Sequence, residues 1–185
     1  MRMIPAPIIL TAAALCLGST PSVDAADTTA VFKPGQARIA VATMISPEGD
    51  DLGTVTLYEP NNGVGVVVDA RLINMPAGAH AFHIHETGRC DAPDFKSAGG
   101  HANPSGKKHG IASAEGMHAG DLPNIHVPEN GSLRVEMFAT LIRLDSSLYD
   151  ADGAAIVIHA GPDDYSTDPA GDAGARIACG VIIPR

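Results

Sequence analysis

Tryptophan is absent from the 185-residue chain, and aromatic residues make up only 4% of it. A broad aromatic platform for stacking nucleotides is therefore not expected. Basic residues are scarce too: Lys+Arg number 12 against 21 Asp+Glu, giving a formal net charge of -9. Binding to nucleic acid or to an anionic membrane surface needs a basic face, so neither is an expected partner. Long apolar runs are also missing. The most apolar stretch, Ile4 to Leu17, is interrupted by Pro5 and Pro7 and falls short of the roughly 20 residues that span a bilayer. What remains is 45% hydrophobic and 18% charged, enough to bury a core and unlike a disordered chain. The length predicts one domain. Gly 20 and Pro 14 make up about a fifth of the residues, so turns and long loops are expected.

The N-terminus reads as a targeting segment. Arg2 supplies positive charge, the apolar stretch follows, and Val23-Asp24-Ala25 presents small residues at the positions a signal peptidase reads. Cleavage after Ala25 is expected, leaving residues 26–185 as the domain; a cut one residue later would put Asp24 where a small residue is wanted. A lipid anchor on Cys16 is disfavoured because Leu15 is too large for the residue before a lipidated cysteine. A buried N-terminal helix is the plainer alternative, and the flanking charge and small residues count against it. The mature protein is expected to be exported and free of the membrane. Removing Cys16 leaves Cys90 and Cys179. Two cysteines in an exported domain are expected to pair, with two free buried thiols as the alternative. A bond closing a loop of about 90 residues is worth roughly 4 to 5 kcal/mol by loop-closure entropy, less any strain.

The mature chain reads as short strands. Residues 38–45 are β-rich, and Pro47-Glu48-Gly49-Asp50 makes a turn. Val55 and Leu57 alternate with Thr54, Thr56 and Tyr58, and Pro60-Asn61-Asn62-Gly63 turns the chain again. Residues 64–72 alternate with period two, and Met75-Pro76-Ala77-Gly78 leads into a strand over 79–86. Four strands in about fifty residues with Gly/Pro turns predict antiparallel hairpins in a sandwich or barrel. Residues 87–120 lose all apolar period; a loop this long in a compact domain tends to be functional. Strand character returns at 122–127, 133–140, 155–160 and 176–183, around a second polar loop at 161–175. Eight short strands and two long loops give an all-β fold.

The histidines carry the chemistry. There are eight: His80, His83, His85, His101, His109, His118, His126 and His159. On a strand, His83 and His85 project to one face, with Phe82 and Ile84 on the other. Two imidazoles so placed can clamp a metal. In the Gly-rich loop, His101, His109 and His118 are followed by Asp121. Three His and one carboxylate can close the tetrahedral site that Zn²⁺ prefers. An all-His set with an open position suits copper. An incidental cluster in a hydrophilic loop is the plainer alternative.

In this order the segments form a recognisable set: Gly78-Ala79-His80-Ala81-Phe82-His83-Ile84-His85-Glu86; Ala98-Gly99-Gly100-His101-Ala102-Asn103-Pro104; Lys108-His109-Gly110; His118-Ala119-Gly120-Asp121-Leu122-Pro123-Asn124; Ile158-His159; and Gly174-Ala175-Arg176-Ile177-Ala178-Cys179-Gly180-Val181-Ile182. From about residue 38 to the C-terminus the chain resembles the secreted bacterial copper,zinc superoxide dismutases. The resemblance implies an eight-stranded antiparallel Greek-key barrel, a fold related to the β-sandwiches. It implies one copper and one zinc per subunit and an activity converting superoxide to O₂ and H₂O₂. His83, His85, His101 and His159 match the copper ligands. His101, His109, His118 and Asp121 match the zinc ligands, so His101 bridges the two metals as an imidazolate. Asp163 matches the carboxylate that links a copper-ligand His to a zinc-ligand His, and Arg176 the guanidinium beside the open copper position. Cys90 and Cys179 match the intrachain disulfide. The implied compartment is the periplasm. Relatives include monomers and dimers, so a homodimer is one of two expected assemblies.

His80 matches a loop-bracing residue, and His126 is read as structural or surface; Glu86 and Asp91 are read as surface carboxylates. Two residues depart from the pattern: Ala81 stands where Gly is common and Ala102 where an aromatic is common. Ala81 is expected to be strained if its backbone needs glycine-like angles, and Ala102 to loosen packing beside His101. An exported metal carrier without turnover is the rival reading, against which the Arg counts. A zinc hydrolase is a third reading, disfavoured because no HExxH helix is present and the loop donors fill the zinc.

Overall fold

The computed structural model describes residues 37–146 and 148–185. The expected leader over 1–25, its cleavage point and Cys16 lie outside the described residues. Alternation builds the first hairpins. In β1 (Arg38–Ile45), Ala40, Ala42 and Met44 are buried, while Ile39 and Thr43 face outward. β2 (Asp51–Glu59) and β3 (Val66–Leu72) repeat the pattern with Val55, Leu57, Val68 and Ala70 inside. Side chains two apart share a face of a strand, so each contributes one apolar row to the interior.

Further along lie β4 (Gly78–His80), β5 (Phe82–His85), β6 (Ile125–Val127), β7 (Leu133–Ala139), β8 (Ala155–His159) and β9 (Arg176–Pro184). Seven strands form one curled antiparallel sheet in the order β5-β8-β9-β1-β2-β3-β7, and β4 pairs with β6 alone. β3 is therefore followed in space by β7, and β9 returns to lie beside β1. Such long returns are the mark of a Greek key. The all-β, antiparallel fold expected from the sequence is the one formed. The core inside the curl includes Met44, Leu57, Leu72, Phe82, Ile84 and Ile156.

One element differs from the sequence reading. The strand expected over 79–86 is two strands with different partners, so the described residues form nine strands rather than eight. Before Ala81 the chain pairs with β6; after it, with β8. At the switch the Ala81 N–H donates to Gly161 (2.8 Å), and the Ala81 carbonyl accepts from His159 N–H (3.0 Å). Period-two patterning does not distinguish one partner from another, so the break leaves no trace in the sequence. Ala81 is fully buried and lies outside the positive-φ region, so the expected strain there is absent.

Two tethers fix the long segments to the sheet. Cys90 and Cys179 form a disulfide with Cα atoms 5.7 Å apart, as the cysteine count predicts. Around it Phe95, Ala98, Ala155 and Val157 pack into a second apolar cluster, carrying the short 3₁₀ turn Lys96–Ala98. The other tether is at the opposite end of β9. There the buried Glu59 carboxylate accepts from Leu144 N–H (2.7 Å) and Arg143 Nε (2.9 Å), holding down the chain after β7.

The disulfide joins residues 89 apart in sequence, so reduction or the pair Cys90→Ser, Cys179→Ser is expected to cost stability, by roughly 4 to 5 kcal/mol at most. Urea unfolding of the oxidised and reduced proteins measures this; equal midpoints would contradict it.

Candidate metal centre

β5 and β8 pair directly, with His83 opposite Val157 and His85 opposite Ala155. Phe82 and Ile84 point into the apolar core, so His83 and His85 face the other way, toward the two loops. His159 ends β8 beside Arg176, the first residue of β9. The 87–120 loop folds back so that His101 bridges to His85, and Asp121 bridges to His83. Six histidine rings thus converge from two strands and one loop. Between His83 and His101 the centroids are 4.0 Å apart, and between His101 and His109 5.1 Å.

Each ring has one nitrogen committed to a neighbour. His85 Nδ1–H donates to the Gly99 carbonyl at 3.0 Å, and His159 Nδ1–H to the Gly174 carbonyl at 3.2 Å. His83 Nε2–H donates to Asp163 Oδ2 at 2.8 Å, and His109 Nε2–H to Asp163 Oδ1 at 3.0 Å. These bonds fix the tautomer of each ring and leave the second nitrogen of His83, His85 and His159 bare. The result is an unusual deficit. His83 Nδ1, His85 Nε2, His101 Nε2 and His159 Nε2 are all buried without a hydrogen-bond partner. Each such atom costs about 1–3 kcal/mol if left unsatisfied. The four residues offer donor atoms within 4.8 Å of one another, a geometry in which one cation satisfies all four.

A second donor set lies on the far side of His101. His101 Nδ1, His109 Nδ1 and His118 Nδ1 lie 2.7, 3.1 and 3.3 Å from Asp121 Oδ1. His118 Nδ1 is also 3.4 Å from His101 Nδ1. A tetrahedron with metal–ligand bonds of about 2.0 Å has edges of about 3.3 Å, so three imidazoles and one carboxylate oxygen stand close to a zinc-type arrangement. The remaining Asp121 oxygen accepts from Gly110 N–H (2.8 Å) and His118 N–H (3.0 Å). His101 belongs to both sets. A neutral imidazole has one lone pair on nitrogen, so serving both sets requires its deprotonation. The triad His83, His109 and Asp163 also offers clustered donor atoms, but its separations are those of ordinary N–H···O bonds and its other ring nitrogens are already aimed at the two sets.

The electrostatics match rings held neutral and carboxylates held charged. Burial, opposed by the hydrogen bond to Asp121 and reinforced by His83, lowers His101 to about 4. Burial and then His83 lower His159 to about 3. His85 falls well below its usual range through burial, His101 and Arg176. Burial works against the Asp121 carboxylate, but the His101 bond and the Gly110 N–H outweigh it and hold the group at about 2. Asp163 is lowered likewise, with His83, His109 and the Tyr165 N–H overcoming burial. Neutral imidazoles and ionised carboxylates are the forms that bind metal.

Arg176 is half-buried beside this cluster. Its guanidinium donates to the Phe95 carbonyl and to the Gly99 carbonyl, both at 2.7 Å. The Gly99 carbonyl is the one that holds His85, so Arg176 is coupled to a ring of the all-His set. Burial lowers the guanidinium and Asp94 opposes that shift. Where the 161–175 loop closes over Asp163, Gly171 has φ +68, and a Cβ there would collide with Asp163 Oδ1 and approach His109 Nε2. Only glycine fits such an approach.

The sequence candidates outside the two sets fall elsewhere. His80 is buried with Nδ1 2.8 Å from the His159 carbonyl and Nε2 3.0 Å from the Pro76 carbonyl, behind the cluster rather than in it. His126 is exposed on β6, paired with Ala79. Asp91 is exposed, and Glu86 is exposed with Oε1 accepting from Gly100 N–H at 2.9 Å. Ala102 lines a cavity of about 180 Å³ with Leu148 and Ala154. Its backbone is nevertheless tied on both sides, to Ile84 at 2.8 Å and Gly120 at 2.9 Å. The carbonyls of Gly99 and Gly174 escape sequence reasoning altogether, because any residue has a carbonyl and only the fold aims it.

Comparison with known proteins agrees with this geometry. The copper/zinc superoxide dismutase (SODC) family profile matches residues 52–182. Superoxide dismutase [Cu-Zn] 1 of Aquifex aeolicus is 49% identical over 146 residues, covering 76% of this chain and 85% of that protein. Among solved structures, a SOD-like protein from Bacillus subtilis superposes with a TM-score of 0.73 at 38% identity, covering 76% of this chain and 96% of that one. Cu/Zn superoxide dismutase from Brucella abortus superposes with a TM-score of 0.65 at 28% identity, covering 77% and 98%. With buried donor sets for two metals and a family match over most of its length, the chain belongs to the copper/zinc superoxide dismutase family.

Proposed function

We propose that the protein is an exported superoxide dismutase, converting two superoxide anions and two protons to O₂ and H₂O₂. Copper would be held by His83 Nδ1, His85 Nε2, His101 Nε2 and His159 Nε2, and zinc by His101, His109, His118 and Asp121. The observation that carries this reading is the set of four buried, partnerless imidazole nitrogens aimed at one point. Copper, when bound, supplies a one-electron couple that takes an electron from one superoxide and gives it to the next, while zinc is redox-inert.

The chain's own residues do the rest. His101 holds a proton at Nε2 in the reduced half of the cycle and gives it up in the other half, delivering it where peroxide forms. Asp163 grips His83 and His109 together, so the two donor sets keep a fixed spacing. Arg176, anchored on the Phe95 and Gly99 carbonyls, presents positive charge beside His85 and draws in the anion. In a protein of net charge -9 that attraction has to be local. A carrier without turnover has no use for this guanidinium, and a zinc hydrolase needs an open zinc position that the filled donor set does not leave. Residues 1–25 act as the export signal, with the periplasm as destination. Among the described residues no helix is long and apolar enough to cross a membrane.

Superoxide decay by the mature protein, residues 26–185, loaded with copper and zinc is expected to be fast, and with zinc alone negligible; no decay at full copper occupancy would sink the enzyme. Arg176→Ala is expected to slow turnover by about 10-fold or more with metal content intact and weaker inhibition by small anions. Superoxide dismutases are themselves a standing example of such steering. Unchanged kinetics in that variant would remove Arg176 from the mechanism.

For the metal-free protein the sign of the pH dependence follows from the buried rings. His101 titrates at about 4 and His159 at about 3 when folded, against 6.5 when unfolded. Between those values the unfolded chain binds more protons, so stability falls as pH drops from about 6.5 toward 4. Thermal melts of the metal-free protein across that window are expected to show a falling Tm; a flat Tm would contradict neutral buried rings.

A further inference from the structure

Asp163 has to face two histidines at once, yet it sits in a loop without regular structure. The groups that aim it are Asn124 and Tyr165. Asn124 grips the Asp163 backbone at two points. Its Oδ1 accepts from Asp163 N–H at 2.8 Å, and its Nδ2 donates to the Asp163 carbonyl at 2.9 Å. The Asn124 N–H donates in turn to the Tyr165 hydroxyl at 2.9 Å. Tyr165 N–H returns to Asp163 Oδ1 at 2.6 Å. The three residues close a ring of hydrogen bonds between segments 39 apart in sequence. Tyr165 adopts φ +64, a conformation that costs a non-glycine residue free energy and persists where its surroundings impose it. Its carbonyl is used as well, accepting from Ala112 N–H at 3.0 Å.

Asn124 stands three residues after Asp121 and immediately before β6, whose first residue, Ile125, is buried. One short stretch thus carries the carboxylate of the zinc-type set at one end and the grip on Asp163 at the other. We infer that Asn124, locked by the Tyr165 hydroxyl, is a positioning residue: it sets where Asp163 meets His83 and His109, and through them the preorganisation of the zinc donor set. The inference rests on the zinc assignment made above. It adds the residues through which the 161–175 loop tightens zinc binding without touching the metal. Tyr165 contributes by fixing the Asn124 backbone, so loss of its hydroxyl has the smaller effect.

The test uses cobalt(II), whose absorption reports tetrahedral coordination in a zinc site, with affinity measured in competition with a chelator and no turnover needed. Asn124→Ala is expected to weaken cobalt and zinc affinity by about 10-fold or more, in the range seen for groups that orient metal ligands, and to shift the cobalt bands. Tyr165→Phe, which removes one oxygen only, is expected to do the same to a lesser degree and covers the case in which Asn124→Ala fails to fold. Asn124→Asp retains the acceptor for Asp163 N–H and loses the donor, so an intermediate affinity is expected. Glu59→Gln serves as the control for simple destabilisation, since Glu59 lies opposite Arg38 at the Pro184 end of β9, away from Arg176. Parent-like cobalt spectra and affinities in the folded Asn124 and Tyr165 variants would overturn the inference. So would an equal loss of affinity in Glu59→Gln at matched Tm. A parent protein that gives no tetrahedral cobalt spectrum would overturn the zinc assignment and this inference with it.

Discussion

Burying six imidazoles against one another is the constraint on which the rest of the structure depends. Each ring brings two nitrogens into the interior, and the protein supplies a partner for only one of them at the four rings that face the all-His point. Backbone carbonyls at Gly99 and Gly174 and the Asp163 carboxylate take the other nitrogens. The deficit is left in one place. A site of this kind is costly without a cation and favourable with one, so metal binding and folding share their free energy. His101 is the extreme case, because both of its nitrogens face donor sets and no protein group answers the second.

Such a cluster cannot be held by loops that move independently. The long segment 87–124 is tied at its start by the disulfide and by Phe95 in the small apolar cluster, and at its end by Asn124. The Gly99 carbonyl joins Arg176 to His85, so the guanidinium and a ring of the all-His set share one anchor. Local charge is thereby placed at the site within a protein whose overall balance is acidic. A cleft with fixed positive groups can attract an anion despite net negative charge, because nearby charges dominate within a Debye length of about 8–10 Å.

The departures from family pattern are absorbed in different ways. Ala81 is buried and has no positive φ at the point where the chain passes from β6 to β8, so its backbone does not call for glycine there. Ala102 leaves space beside Leu148 and Ala154, while its backbone bonds to Ile84 and Gly120 keep the segment that carries His101 in place.

The sequence by itself determined the residue types and the local periods. Alternation from Arg38 to Leu72 marks the first hairpins, because strand geometry repeats every two residues regardless of partner. The His and Asp in a loop with no apolar period mark metal chemistry, because such residues serve no core there. Two cysteines in a chain read as exported mark a disulfide. Tertiary structure alone decided which strand met which, breaking one apparent strand at Ala81, and which atom of each ring was left bare. It also brought Asn124 to Asp163 and the Gly99 carbonyl to Arg176. Those contacts join positions 39 and 77 residues apart through groups, such as a carbonyl or an amide, that are common along the chain. Their meaning comes from direction and distance, and these exist only once the sheet has curled and the loops have closed over it.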